Sequence, residues 1–342
     1  MSVELGGLPA MLLDWYGRHA RDLPWRIGPM QRARGVRPDP YRVWLAEIML
    51  QQTTIPHATR YFAAFTARWP RIEDLASAKD DEVMAAWAGL GYYARARNLL
   101  KCAREVARSG AFPTTETELL TLPGIGPYTA GAVAALAFGR RTAAVDGNVE
   151  RVFARVLALD APFPKGKAAI RPIVERLVPA DRPAEFAEGL MDLGATVCTP
   201  KSPNCLICPL RPLCSAHEMG TPDAFPKKEK KTPKPTRYGV VFVVSDGQSM
   251  LVERRPERGL LGGMLGLPGT EWRESAPSDF KANAPEAADW RHRGEIRHVF
   301  THFTLILEVW RSNSPPKGLT LSVNNLDDLP SVFKKAARLA LD

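Results

Sequence analysis

At 342 residues the chain is too long for one ordinary core, and its length argues for two domains. Hydrophobic content of 45% with 24% charged residues fits a soluble globular protein, and no apolar run approaches the roughly 18 residues a membrane helix needs. Lys+Arg 46 against Asp+Glu 37 leaves a net +9, which favours a polyanionic partner.

The N-terminus, Met1 to Pro9, lacks a charged segment followed by an apolar one, so no secretory signal is expected and the cytoplasm follows by default. There the cysteines are expected as metal ligands or core residues rather than disulfides. Residues 8–22 read as an amphipathic helix carrying Leu12, Leu13, Trp15 and Tyr16, broken by Leu23-Pro24-Trp25-Arg26. Pro29 to Pro40, rich in Pro, Arg and Gly, reads as an exposed basic loop. From Tyr41 to Gly139 helical patterns alternate with short turns, and no convincing strand occurs.

Glu47 lies in VWLAEIMLQQ, a helix apolar on nearly every side until Gln51. A carboxyl group there is expected to be partly buried, with a raised pKa that keeps its proton near neutrality, as a general acid needs. A glutamate at the rim of a core, satisfied by an arginine, is the alternative. Gly89-Leu90-Gly91-Tyr92-Tyr93, followed by Arg95 and Arg97, suits an aromatic wedge that enters a base stack beside phosphate-binding groups. Tyrosines packed inward at a helix start would read the same way.

Helix formers from Glu116 to Leu120 end before Leu122-Pro123-Gly124-Ile125-Gly126-Pro127-Tyr128. Two glycines one residue apart allow a tight turn with positive φ, and a small-residue helix restarts at Thr129: a helix-hairpin-helix. The backbone N–H groups of Gly124 and Gly126 are thereby candidates for holding one phosphate without reading a base. Asp146, between an apolar stretch and the next helix, is an N-cap by position. It is also a carboxylate that the helix dipole keeps ionised. A protonated acid and an ionised one form the pair needed to cleave a glycosidic bond.

Helices are expected over 149–160, 168–178 and 183–197. Cys198-x6-Cys205-x2-Cys208-x5-Cys214 then gathers four thiols in one short loop, with Cys102 elsewhere as plain core. The spacing does not fit two short zinc knuckles, and a single loop around a [4Fe–4S] cluster fits better, with zinc as the alternative. Residues 220–237, with four prolines and a lysine run, read as an exposed linker between a helical domain (1–219) and an α+β domain (238–342). In the latter, Tyr238–Ser245 is strand-like with Met250–Glu253 as its partner. Arg297–Arg311 reads as one strand with a bend, and Ser331–Leu341 as a closing helix.

Taken together these residues resemble the helix-hairpin-helix DNA glycosylase superfamily with a [4Fe–4S] loop, and within it the adenine DNA glycosylases. The resemblance covers most of the chain. It includes Leu23–Trp25, Trp44–Thr53, Gly89–Asn98, the hairpin, Val145–Val149 and the cysteine loop. It implies a multidomain protein: an all-α helix-hairpin-helix glycosylase domain with an iron–sulfur loop, followed by an α+β Nudix-like recognition domain. The implied activity is removal of adenine opposite 8-oxoguanine or guanine in double-stranded DNA, by a monomer. Glu47 would protonate the adenine ring and Asp146 stabilise the sugar cation, with Tyr128 and Asn148 orienting that site. Trp25, Arg26, Leu50 and Glu188 would line the pocket for the extruded base, which is unreachable inside a duplex. Gln52 and Tyr92 would fill the opened helix.

Endonuclease III-like enzymes share these motifs but place a lysine nucleophile where this chain has Tyr128, so the resemblance implies a monofunctional enzyme. A bifunctional glycosylase/lyase and a non-enzymatic iron–sulfur DNA-binding protein are the alternatives. The second domain lacks the Arg-Glu…Glu-Glu helix of a Nudix hydrolase, having only isolated acids such as Glu271 and Glu274, so it is expected to bind rather than hydrolyse. Phe300-Thr301-His302 is similar to the family's Phe-Ser-His loop, implied to touch the oxidised guanine, with Thr301 in place of Ser. The basic insertion from Pro29 to Pro38 departs from the family pattern.

Overall fold

The computed structural model describes residues 5–229, 233–256, 259–277, 283–286 and 288–342. Two compact units divide the chain, Met1–Glu229 and Lys230–Asp342. The start of the N-terminal segment and residues 230–232 of the expected linker lie outside the described residues.

Among the described residues the first unit is helical. Its α-helices are α1 (Leu8–His19), α2 (Pro29–Ala33), α3 (Pro40–Leu50), α4 (Ile55–Arg68), α5 (Ile72–Ala76), α6 (Asp80–Ala86) and α7 (Ala94–Ser109). They continue with α8 (Glu116–Leu119), α9 (Pro127–Phe138), α10 (Gly147–Val156), α11 (Ile170–Leu177), α12 (Pro183–Thr196) and α13 (Ser215–Glu218). The apolar side chains form two clusters. One gathers α3 to α9 around Trp44, Phe62, Phe65 and Trp87; the other gathers α1 and α9 to α12 around Leu12, Phe153 and Phe186.

Helix α3 starts with Asp39 capping Tyr41 N at 2.9 Å and Pro40 in its first turn, where a missing N–H costs nothing. It buries every residue from Val43 to Met49, Glu47 included. Small residues do the same work in α9. A side chain at Gly131 would sit 2.7 Å from the carbonyl of Ala143, so the 143–145 strip lies directly on α9 and delivers Asp146 to the start of α10.

The hairpin turn follows expectation at one glycine only. Gly124 has φ +76°, and a Cβ there would meet Asn98 Cβ at 2.6 Å, so glycine is required twice over. Gly126 is extended at φ −94°, caps α9 and faces open space. Two further expectations are corrected. Pro29–Ala33 is a short helix rather than loop, and residues 220–229, read as exposed linker, fold back onto the first unit. Phe163 N donates to Lys227 O at 2.8 Å, and Arg155 Nε donates to Pro222 O and Phe225 O at 2.9 and 3.1 Å.

The second unit contains β1 (Thr236–Val244), β2 (Ser249–Leu251), β3 (Glu253–Arg254), β4 (Leu265–Gly266), β5 (Arg291–Val299), β6 (Thr304–Ser312), β7 (Thr320–Ser322) and α14 (Ser331–Leu341). Strand β6 is central, parallel to β1 (Thr236↔Thr304) and antiparallel to β5 (Val299↔Thr304). Its alternate residues Leu305, Leu307 and Val309 pack with Val332, Phe333 and Ala336 of α14. The stretch Arg297–Arg311 is therefore not one bent strand: it contains the turn of a hairpin, closed by Phe300 N donating to Phe303 O at 2.9 Å. Nor is β2 the partner of β1. The two share one bridge, Ser245↔Met250, and β2 pairs with β7.

Candidate active site

Glu47 sits on the third turn of α3 with 5% of its surface exposed. Its partner is not an arginine: the hydroxyl of Tyr128, from the first turn of α9, donates to Oε2 at 2.7 Å. Burial pushes the Glu47 carboxyl up to about 7, against the opposing pull of the Tyr128 hydrogen bond and of Arg26. The negative charges of Asp146 and Glu188 add to the rise. Burial, joined by the charges of Glu47 and Asp146, holds the Tyr128 phenol far above its ordinary range, so it remains a donor.

Asp146 caps α10, and its Oδ1 accepts from the backbone N–H groups of Asn148 and Val149 at 2.9 and 2.8 Å. The Asn148 side chain donates to Oδ2 at 2.7 Å. Asn148 is held in turn by Arg151, whose Nη2 donates to Asn148 Oδ1 at 2.9 Å and to Gly194 O at 2.7 Å. A Cβ at Gly194 would come within 2.5 Å of Asn148 Cβ, so α12 passes too close to the start of α10 for a side chain there.

Glu188 and Asp192 lie one turn apart on α12, buried to 1% and 0% exposure. Arg26 bridges them, with Nη1 donating to Asp192 Oδ1 at 2.7 Å and Nε 3.9 Å from Glu188 Oε1. Burial opposes the charge on Arg26, but the two carboxylates outweigh it and raise its pKa. Glu47, Tyr128, Asp146, Asn148, Arg26 and Glu188 thus belong to one electrostatic cluster, brought together from α3, α9, α10, α12 and the segment after α1.

The remaining expected residues divide. Trp25 is buried edge-on to Phe62, with 7% of its surface exposed, and Leu50 packs half-buried at the end of α3. Gln52 and Tyr92 are exposed, and both carry positive φ, +58° and +49°. Non-glycine residues seldom adopt that conformation, and such strain persists only where the surroundings impose it. Arg95, read from sequence as phosphate-facing, turns inward instead. It donates to Ile48 O and Gln51 O at the end of α3 (2.9 and 2.6 Å) and to Leu90 O at 2.9 Å. Its guanidinium also lies 5.6 Å from the Tyr92 ring. One side chain therefore ties the turn carrying Gln52 to the turn carrying Tyr92.

The helical unit matches the family model of the HhH-GPD superfamily base excision DNA repair protein over residues 45–179, and the second unit matches the NUDIX domain over residues 239–338. An adenine DNA glycosylase of Mus musculus is 35% identical over 87% of this chain and 69% of its own length. One from Buchnera aphidicola subsp. Acyrthosiphon pisum is 31% identical over 86% of this chain and 83% of its own. The chain belongs to the adenine DNA glycosylase family. It is a base-excision-repair DNA glycosylase. Among solved structures, a thermostable thymine-DNA glycosylase is 31% identical at a TM-score of 0.53, over 62% of this chain and 95% of its own. An endonuclease III–DNA complex aligns at a TM-score of 0.51 with 22% identity over 62% of this chain and 94% of its own, a likeness of fold alone.

In this glycosylase the four loop cysteines, Cys198, Cys205, Cys208 and Cys214, are free thiols lining one cavity. Among the described residues no group of three or more His, Cys, Asp or Glu side chains is arranged to hold a single metal ion. Arg155 projects into this loop with 1% of its surface exposed, donating to Cys198 Sγ at 3.3 Å and to Thr199 O at 2.7 Å. Its ion pair with Asp223 is stretched to 3.9 Å. Arg151 Nε also reaches the loop, at Cys198 O (2.8 Å). Cys102 is core.

In the second unit Thr301 and His302 are exposed at the β5–β6 turn, while Phe300 is anchored beside Trp272 (5.6 Å) and Phe303 (4.9 Å). Sequence reasoning missed Tyr16, Arg21, Arg32, Arg151, Arg155 and Asp192. Only Asp192 had a usable signal: an acid four residues after Glu188 on an otherwise apolar helix face.

Proposed function

We propose that this glycosylase hydrolyses the N-glycosidic bond of adenine mispaired with 8-oxoguanine, or with guanine, in double-stranded DNA and leaves the strand intact. The observation that carries the reading is the contrast between the two acids. Glu47 is buried, with its carboxyl near 7, while Asp146 accepts three N–H donors at a helix N-terminus. Glu47 gives its proton to N7 of the extruded adenine, so the bond from C1′ to N9 breaks with its electron pair going to the base. Asp146 faces the positive charge that develops on the sugar, and water adds at C1′, losing its proton to the now ionised Glu47. Tyr128 and Asn148 hold the two acids in position.

Trp25, Arg26, Leu50 and Glu188 line the base pocket in this reading. Gln52 and Tyr92, held outward on strained backbone, occupy the space the base vacates, and the turn at Gly124 and Gly126 holds a phosphate. Phe300, Thr301 and His302 contact the 8-oxoguanine. Because Tyr128 is a phenol without an amine, no imine with the sugar forms, which disfavours a lyase step. The likeness to the thymine enzyme covers 62% of this chain, whereas the adenine relatives extend over 85% or more of it, which favours adenine.

Cys198, Cys205, Cys208 and Cys214 would hold a [4Fe–4S] cluster. The fit rests on four thiols lining one cavity with the buried Arg155 guanidinium donating to Cys198 Sγ at 3.3 Å, a contact that favours thiolate there. When bound, the cluster supplies a one-electron couple and a rigid cross-link for the loop. Base release from duplexes carrying A opposite 8-oxoguanine, G or T, with and without alkali, tests the function. Release only from the first two, with strand breaks appearing only after alkali, is expected. Borohydride trapping of protein on DNA at high yield contradicts it.

A further inference from the structure

The 29–38 insertion does more than decorate the surface. Arg32, on α2, turns its side chain inward to 15% exposure and donates from Nη2 to Glu188 Oε1 at 3.1 Å. Its Nε donates to Ile27 O at 3.1 Å, which fixes the plane of the guanidinium. Among the described residues Glu188 accepts one other hydrogen bond, from the Tyr16 hydroxyl on Oε2 at 2.7 Å, while Arg26 Nε stands off at 3.9 Å, an ion pair without a hydrogen bond. Arg26 and Arg21 place their close contacts on Asp192, each at 2.7 Å. Among the described residues Arg32 is therefore the cation in hydrogen-bonding contact with Glu188, supplied by the basic 29–38 segment.

A carboxylate offers about four acceptor sites. Tyr16 and Arg32 fill one on each oxygen, which sets the orientation of the group and leaves the remaining sites for a base that carries a donor. We propose that Arg32 is a positioning residue for base selection: it aims Glu188 so that the pocket accepts a purine through its exocyclic amine. The inference rests on the reading of Glu188 as a wall of the base pocket.

The test compares single-turnover release of adenine and of unsubstituted purine, which lacks only the 6-amino group, from otherwise identical duplexes opposite 8-oxoguanine. The variants are Arg32→Ala and Arg32→Lys, with Arg32→Gln carrying the same comparison if the alanine variant is insoluble. In Arg32→Ala, adenine release is expected to fall by about tenfold or more while purine release changes less than about threefold, collapsing the ratio between them. Arg32→Lys, a point charge without the fork, restores the ratio in part. Equal losses on both bases, or no loss on either, overturn the inference while leaving the proposed function intact. A wild-type enzyme that releases no adenine overturns both.

Discussion

Tyr128 and Glu47, 81 residues apart in sequence, meet through a 2.7 Å hydrogen bond in which the phenol donates to the carboxyl. That bond favours the ionised form of Glu47, while burial favours the protonated one, and burial prevails. Removing the donor with Tyr128→Phe therefore raises the Glu47 pKa further. The alkaline limb of the pH–rate profile for base release is expected to move to higher pH, whereas a Tyr128 that served only as packing would leave the limb in place. Single-turnover rates from pH 5 to 9 measure this.

The same burial has a thermodynamic signature. Glu47 titrates at about 7 in the folded protein against 4.5 as an ordinary glutamate, so between those values the folded state binds the extra proton. Stability thus falls as pH rises from 4.5 to 7, and above that range ionised Glu47 costs on the order of 3 kcal/mol. Glu47→Gln removes a titrating group while keeping its shape. The variant is expected to be more stable than the wild type at pH 8, with the difference vanishing below pH 4.5, by denaturant unfolding at both pH values. A destabilised variant at pH 8 contradicts the assigned burial.

Gly194 has no room for a side chain, because its Cβ would meet Asn148 at 2.5 Å. Gly194→Ala is expected to push Asn148 away from Asp146 and lower base release by one to two orders of magnitude, with mispair binding in a gel-shift assay changed far less. Equal release by variant and wild type would mean that Asn148 does not need its observed position.

The two hairpin glycines should separate cleanly. Gly124→Ala meets both a positive φ and the Asn98 side chain, and is expected to cost about 1–2 kcal/mol or more and to weaken DNA binding. Gly126→Ala meets neither, so its melting temperature should stay within a few degrees of the wild type.

Much of this site is legible in the sequence because the signals are local. An acid in an all-apolar helix must be buried, an Asp before a helix must cap it, and four cysteines in one loop must converge. What escapes is pairing across long separations. Nothing near Glu47 indicates that a tyrosine on α9, rather than an arginine, is its partner. Composition reads Pro29–Pro40 as exposed, which most of it is, but it does not reveal Arg32 turned inward, since the carboxylate that draws it lies 156 residues downstream. Arg95 likewise looks like a phosphate ligand until the open carbonyls at the end of α3 come within its reach. In the second unit β1, β2 and β6 are readable, but β4, β7, most of β5 and the strand order are not. The short β2 satisfies the same alternation against β1 or β7, and only the full sheet chooses.

The central claim is that Glu47 and Asp146 act together on one extruded adenine. Its most direct test is adenine release from an A:8-oxoguanine duplex by Glu47→Gln and Asp146→Asn, beside gel-shift binding of the same duplex. Asparagine can still cap α10, so both variants should fold and bind. The expected result is a fall in release of at least about a hundredfold in each, with affinity for the mispair kept. Release at the wild-type rate by either variant contradicts the account.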